Sequence, residues 1–369
     1  MTQALLRPIK LHDLELKNRV VMAPMTRTRA NNPEKAPTDL IATYYEQRAS
    51  AGLIISEGTP VSPQGVGYIN IPGIYSEAQV EGWKKVTKAV HNKGGKIFAQ
   101  LWHVGRISHP DFHNGELPVA PSAINPNDQV FTENGFTSTV TPHALTVEEI
   151  KQIVQDFKHA AKNAIDAGFD GVEIHSSNGY LFHQFFVTCS NTRTDAYGGS
   201  RENRARLLFE VLDAVKEVIP IEKVGARLNP SMHNLFGITV DEETIPTFDY
   251  IIEKLNDYNL AYLHLSEPFS DVSNVPFAEP HIAKRYRPLY KGNLIINKGF
   301  SQEAGNKVIA DGDADMVAFG VPFISNPDLP IRFEQGAELQ PADRNTFYAK
   351  GPKGYTDYPS LAEAQRQEA

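Results

Sequence analysis

Cysteine is all but missing. The chain has one, Cys189, in 369 residues, so no intrachain disulfide can form, and a reducing compartment is the matching environment. Long apolar runs are missing too. Nothing approaches the roughly 18 consecutive apolar residues of a membrane-spanning helix. The opening stretch MTQALLRPIKLHDLELKNRV has no apolar segment leading to a small-residue cleavage site. A cytoplasmic location is therefore expected, with no membrane partner. Formal net charge is −8 and no Lys/Arg-rich block occurs, which argues against nucleic acid. No GxGxxG or GxxxxGK[ST] loop is present, nor a GxSxG or HExxH motif, and no His/Cys/Asp/Glu spacing forms a metal cage. Dinucleotide binding of the doubly wound type, P-loop chemistry, serine hydrolysis and zinc hydrolysis are each disfavoured by these gaps.

What is present is a repeated short apolar run ending on a polar residue or glycine. Eight stand out: RVVMAPM (19–25), LIISEG (53–58), KIFAQL (96–101), GVEIHS (171–176), VGARLN (224–229), AYLHLS (261–266), NLIINKG (293–299) and DMVAFG (315–320). Near-continuous apolar runs suit parallel strands buried on both faces. Helix-like segments lie between most of them. One begins after Ser76 and stops at a glycine pair. Another begins at Thr146, with capping-box spacing to Glu149, and ends at Gly168. Residues 200–218 and 241–255 read as two more. Eight strand–helix units in one domain over residues 1–369 suit an α/β fold of the (β/α)8 TIM-barrel type. An N-terminal hairpin precedes the first strand. The Pro-, Asn- and Gly-rich stretch 102–144 and the segment 268–291 read as insertions over the barrel mouth.

In such a barrel the chemistry sits at the C-terminal ends of strands. Those ends carry Pro24, Met25, Thr26, Gly58, Gln100, Trp102, Arg227, Gly299 and Gly320, and after the fourth run His175, Asn178 and Tyr180. Neutral donors dominate, with Arg227 as the fixed cation. That set suits a flat ring rich in carbonyls and nitrogens, or donors aimed at an enolate oxygen. Cys189 and His183 carry no such context. The polar run 193–203 reads as a loop-bracing network.

The segments LKNRVVMAPMTRTRA, AQLWHVGRISHP, GFDGVEIHSSNGYLFHQF, TRTDAYGGSRENRARLLFEV, VAFGVPFISNPDLP and GYTDYPSL, in that order, make the chain similar to the Old Yellow Enzyme family of FMN-dependent ene-reductases. It most resembles the bacterial branch that includes N-ethylmaleimide and pentaerythritol tetranitrate reductases. The resemblance implies tightly bound FMN at the barrel mouth, reduced by NADH or NADPH, and a small activated alkene or nitro compound as substrate, in a monomer or homodimer. Pro24, Met25 and Thr26 would pass along the isoalloxazine. Gly58 would leave room for close backbone approach, Gln100 would bond the pyrimidine edge, and Arg227 would face the N1 and C2-carbonyl side. Backbone N–H groups near Gly299 and Gly320 would hold the phosphate. His175 and Asn178 match the pair that holds the substrate's activating oxygen, and Tyr180 matches the proton donor. Tyr68, Trp102 and Tyr348 would line the substrate pocket.

One position departs from the family pattern. Gly-Arg is usual after the eighth strand, with the arginine on the phosphate, whereas this chain has Gly320-Val321. Lys298 is the nearest residue to supply the missing charge. The 102–144 insertion holds Arg106 as its only arginine or lysine, so NADH is expected to serve at least as well as NADPH. Two alternatives share the same rim: a flavin-free barrel lyase or isomerase, and a barrel that binds ligand without catalysis.

Overall fold

In the computed structural model, which describes residues 3–368, the eight runs form one closed barrel of parallel strands. They are Val20–Met22, Leu53–Pro60, Ile97–Trp102, Gly171–His175, Val224–Leu228, Tyr262–Ser266, Leu294–Asn297 and Met316–Phe319. Each pairs with the next in sequence, and the eighth closes on the first with Ala318 opposite Val21. Helices cover the outside, so both faces of every strand are buried. The architecture is a (β/α)8 barrel.

Local chemistry sets the helix ends. Helix Glu77–Asn92 starts at Ser76, whose hydroxyl accepts the Gln79 N–H while the Gln79 side chain accepts the Ser76 N–H. Helix Val147–Asp166 repeats this device with Thr146 and Glu149. Beyond it Gly168 has φ +88°, a left-handed position that suits glycine. Ser200 caps Arg201–Val215. The helix expected from 241 begins instead at Thr244, because the Asp241 carboxylate accepts the Glu243 N–H and the Thr244 hydroxyl, forming a turn.

The barrel interior is layered by strand alternation. At the lower level Phe98, Tyr262, Ile295 and Met316 form an apolar plug with Leu11 and Leu16. These two leucines come from the hairpin pairing Ile9–Leu11 with Leu14–Leu16, which thus closes the bottom of the barrel. One level higher the layer turns polar: Gln100, His264 and Asn297, each two residues past a plug residue, join Glu173 and Arg227 of the fourth and fifth strands, all buried. His175 lies another step along, at the end of the fourth strand.

The 102–144 segment holds a hairpin, Gln129–Thr132 with Gly135–Ser138, and a short parallel pair, Val119–Ala120 with His143–Ala144. In the 268–291 segment a short helix, Ile282–Tyr286, is capped by the Glu267 carboxylate, which accepts the Ile282 and Ala283 N–H groups. Near the C-terminus, Arg27 and Arg29 donate to carbonyls of Thr346, Phe347, Gly351, Lys353 and Gly354, tying that segment to the end of the first strand. Among the described residues no helix is long and apolar enough to cross a membrane.

Candidate active site

Strand four delivers the imidazole, and the loop after it delivers the amide and phenol. His175 Nδ1 accepts the Ser177 N–H at 3.4 Å, so in the neutral ring the proton sits on Nε2. Burial holds the imidazole well below its ordinary pKa, with the Arg227 charge acting the same way. The ring is therefore a neutral donor at pH 7. Asn178 occupies the left-handed region at φ +56°, which asparagine tolerates. Its Oδ1 accepts from Asn229 Nδ2 at 3.1 Å, leaving its own Nδ2 to donate elsewhere.

Tyr180 is boxed by aromatics. Its ring meets Trp102 edge-on at 4.9 Å and His175 at 5.1 Å, and Phe236 lies at 5.7 Å. Trp102 stacks on both Tyr68 (5.2 Å) and His175 (5.8 Å). The Tyr180 and Tyr68 hydroxyls share a 2.7 Å hydrogen bond. Burial and the neighbouring Tyr68 push the Tyr180 phenol well above its usual pKa, so it stays protonated at neutral pH. Burial pushes Tyr68 up to about 12. The structure thus brings His175, Tyr180, Tyr68 and Trp102 into one aromatic-lined group, with Asn178 on the connecting turn.

Beneath this group lies the polar layer. Arg227 Nη2 donates to Asn297 Oδ1 at 3.2 Å, and Asn297 Nδ2 donates to the Ala318 carbonyl. Arg227 Nε is buried without a partner among the described residues. An unpaired guanidinium N–H is costly inside a protein. It fits an anionic or carbonyl-bearing ligand edge. Gln100 Nε2 donates to Glu173 at 2.7 Å, so its carbonyl oxygen is the atom left for a ligand N–H. Pro24, Met25 and Thr26 are half-buried just past the first strand.

At the ends of strands seven and eight, Gly299 has φ +81° with open space where a Cβ would stand, and Gly320 meets only Met25 at 3.5 Å. Val321 is 48 % exposed there and offers no charge. Lys298 is exposed beside Gly299, its Nζ lying 5.1 Å from the centre of the Phe269 ring. The neutral donors, unpaired Arg227 N–H and glycine-lined rim are a chemically consistent receptor for an isoalloxazine with a phosphate tail.

Two rim residues have surroundings that the sequence did not show. A Cβ on Gly58 would lie 2.3 Å from Trp102 Cε3, so the side-chain space this glycine leaves is filled by the indole. Tyr348 is 67 % exposed rather than enclosed. The 193–203 run is a bracing network: Arg193 clamps Asp195 and the Pro121 and Leu145 carbonyls, and Arg201 clamps Glu243. His183 is buried and held neutral. Residues missed in the sequence are Glu173, His264, Asn297, Asn229 and Phe236. Glu173 carried a usable signal, as a lone acid inside an apolar strand two positions before His175.

Comparison with known proteins gives the same picture. Residues 4–340 match the model of the NADH:flavin oxidoreductase / NADH oxidase family. 12-Oxophytodienoate reductase 1 of Oryza sativa subsp. japonica is 44 % identical over 98 % of this chain and 94 % of its own. The structure of morphinone reductase in complex with tetrahydroNAD superposes with a TM-score of 0.90 at 46 % identity, covering 97 % of this chain and 98 % of that one. The Old Yellow Enzyme homologue from Zymomonas mobilis superposes at 0.92 with 42 % identity, covering 97 % of this chain and all of that one. With these matches spanning nearly the whole barrel, the chain belongs to the NADH:flavin oxidoreductase / NADH oxidase family, the Old Yellow Enzyme family of flavin-dependent oxidoreductases.

Proposed function

We propose that this protein is an ene-reductase, using reduced nicotinamide to saturate alkenes activated by a carbonyl, imide or nitro group. FMN held at the mouth would supply the two-electron hydride chemistry that links nicotinamide oxidation to saturation of the alkene, with the hydride ending on its β-carbon. Arg227 and Gln100 would hold its pyrimidine edge, with Pro24, Met25 and Thr26 alongside the ring. Lys298 and the N–H groups near Gly299, Gly320 and Val321 would hold its phosphate. Lys298 takes part in no ion pair among the described residues, so its charge is free for this.

The observation that carries the reading is the donor geometry of the trio: His175 Nδ1 and Asn178 Oδ1 are already engaged as acceptors, and the Tyr180 ring meets His175 edge-on at 5.1 Å. His175 keeps Nε2–H, Asn178 keeps its amide donor, and Tyr180 keeps its phenolic proton, all at neutral pH. The first two would hold the substrate's activating oxygen. Negative charge gathers on that oxygen as the alkene is reduced, and a well-aimed donor is worth about 2.7–4 kcal/mol there. Tyr180 would then give its proton to the α-carbon. The Tyr68 hydroxyl, 2.7 Å from that of Tyr180, would orient the phenol. Trp102 fixes both aromatic rings in place, and Tyr348 borders the entrance.

The reductant follows from Arg106. Its guanidinium is buried and donates to the carbonyls of Ile124, Phe236 and Gly237. It is thus spent on loop structure, which supports NADH as a reductant at least as good as NADPH; a large kcat/KM advantage for NADPH would contradict this. Isotope tracing tests the main proposal. NADH deuterated at the transferable position should label the β-carbon of a cyclic enone, and D2O should label the α-carbon. Label from NADH at the α-carbon, or no saturated product, would overturn it.

A further inference from the structure

Glu173 is fully enclosed in the barrel and takes no part in the chemistry above. Burying a carboxylate costs several kcal/mol unless it is paired and hydrogen-bonded. Here it is engaged at both oxygens: Oε1 accepts from Gln100 Nε2 at 2.7 Å and Oε2 accepts from His264 Nδ1 at 2.8 Å. Burial pushes the carboxyl up, but His264, Arg227 and Gln100 outweigh it, and Glu173 is held below the usual carboxylate range. Burial holds His264 below its ordinary range, so the imidazole is neutral and donates from Nδ1. The layer therefore carries one negative charge, on Glu173, against one positive charge, on Arg227.

We propose that Glu173 is a positioning residue that sets the redox potential of the bound flavin, by fixing the orientation of the Gln100 amide and by offsetting the charge of Arg227. An ionised carboxylate can only accept hydrogen bonds. Gln100 must therefore turn its NH2 toward Glu173 and keep its carbonyl oxygen free. That oxygen accepts an imide N–H and repels a ring carbonyl, so Glu173 selects which pyrimidine atom Gln100 can meet. The carboxylate also lowers the positive potential that Arg227 presents to the same edge. Without its charge, the layer would favour an electron-rich ring. This inference rests on the proposed function only in placing the flavin's pyrimidine edge against Gln100 and Arg227.

The test uses the FMN-loaded protein and the variants Glu173→Gln and Glu173→Asp. The midpoint potential of bound FMN reports the ratio of its affinities in the reduced and oxidised states. Glu173→Gln should raise that ratio at least tenfold, about 30 mV upward for a two-electron couple. Glu173→Asp keeps the charge and should stay within threefold of the parent. A purely structural role would weaken FMN binding or lower Tm without moving the ratio. An unchanged ratio in Glu173→Gln, or an equal shift in Glu173→Asp, overturns the inference. Should neither variant fold, the parent loaded with 15N-labelled FMN decides. A hydrogen-bonded N3–H that broadens or shifts in Gln100→Met supports the proposal, and an N3–H unaffected by that change overturns it. A parent that binds FMN and reduces enones while failing these tests sinks only this inference. One that binds no FMN sinks the functional reading as well.

Discussion

Replacing Tyr180 by Phe removes one hydroxyl and little else. The ring keeps its edge-on contacts with Trp102 at 4.9 Å and His175 at 5.1 Å, so the aromatic box should hold its shape. Tyr68 loses its 2.7 Å partner, but it is only half-buried and water can replace the lost bond. The stability cost should be no more than about 1 kcal/mol. The catalytic cost should be much larger. A positioned general acid contributes about 10²- to 10⁴-fold. At about 1.36 kcal/mol per decade, that is about 3–5 kcal/mol on the proton-transfer barrier. Nicotinamide oxidation needs no proton from Tyr180 and should change less than about threefold on the same reasoning. Stopped-flow absorbance resolves the two half-reactions, and calorimetry gives Tm. Equal slowing of both halves, or less than tenfold slowing of alkene reduction with Tm unchanged, would refute the role given to the phenol.

Three further outcomes are expected. Lys298→Ala should raise the FMN Kd at least tenfold while leaving riboflavin, which lacks the phosphate, unaffected; equal FMN binding removes Lys298 from the phosphate site. Gly58→Ala should push the Trp102 indole aside, since the new Cβ would stand 2.3 Å from it, at an overpacking cost of about 1–3 kcal/mol. Adding Trp102→Phe should restore most of the lost Tm, and no rescue would mean that another contact is responsible. Acid should destabilise the fold through His103 and His183, both buried and held down to about 3. Their folded pKa values lie below the ordinary value, so the stability they confer is present above it and is lost as pH falls from there toward the folded values. At pH 5 each contributes a loss of about 2 kcal/mol relative to pH 7. Urea unfolding of the His103→Asn, His183→Gln double variant at both pH values should show a smaller drop than the parent.

The barrel was legible because strands buried on both faces write continuous apolar runs, and each of the eight became a strand. Ser76 and Thr146 announced their helices through capping boxes that the structure contains. Strand ends picked out which residues share the rim, whereas their roles toward a flavin came from the family resemblance. What stayed hidden was pairing across the barrel. Gln100 and Glu173 lie 73 residues apart, and Glu173 and His264 lie 91 apart, so nothing local links them. Gly58 showed only that a Cβ was unwelcome, not that an indole from the next strand filled the space. The paths of the two mouth segments depend on long-range clamps such as Arg106 to Phe236 and Gly237, which no periodicity encodes.

An anaerobic absorbance titration tests the central claim most directly. The purified protein should carry one flavin per chain, bleach with one equivalent of NADH, and regain its colour with one equivalent of a cyclic enone. A chain that takes up no flavin, or a bleached flavin that no activated alkene reoxidises, would contradict the account.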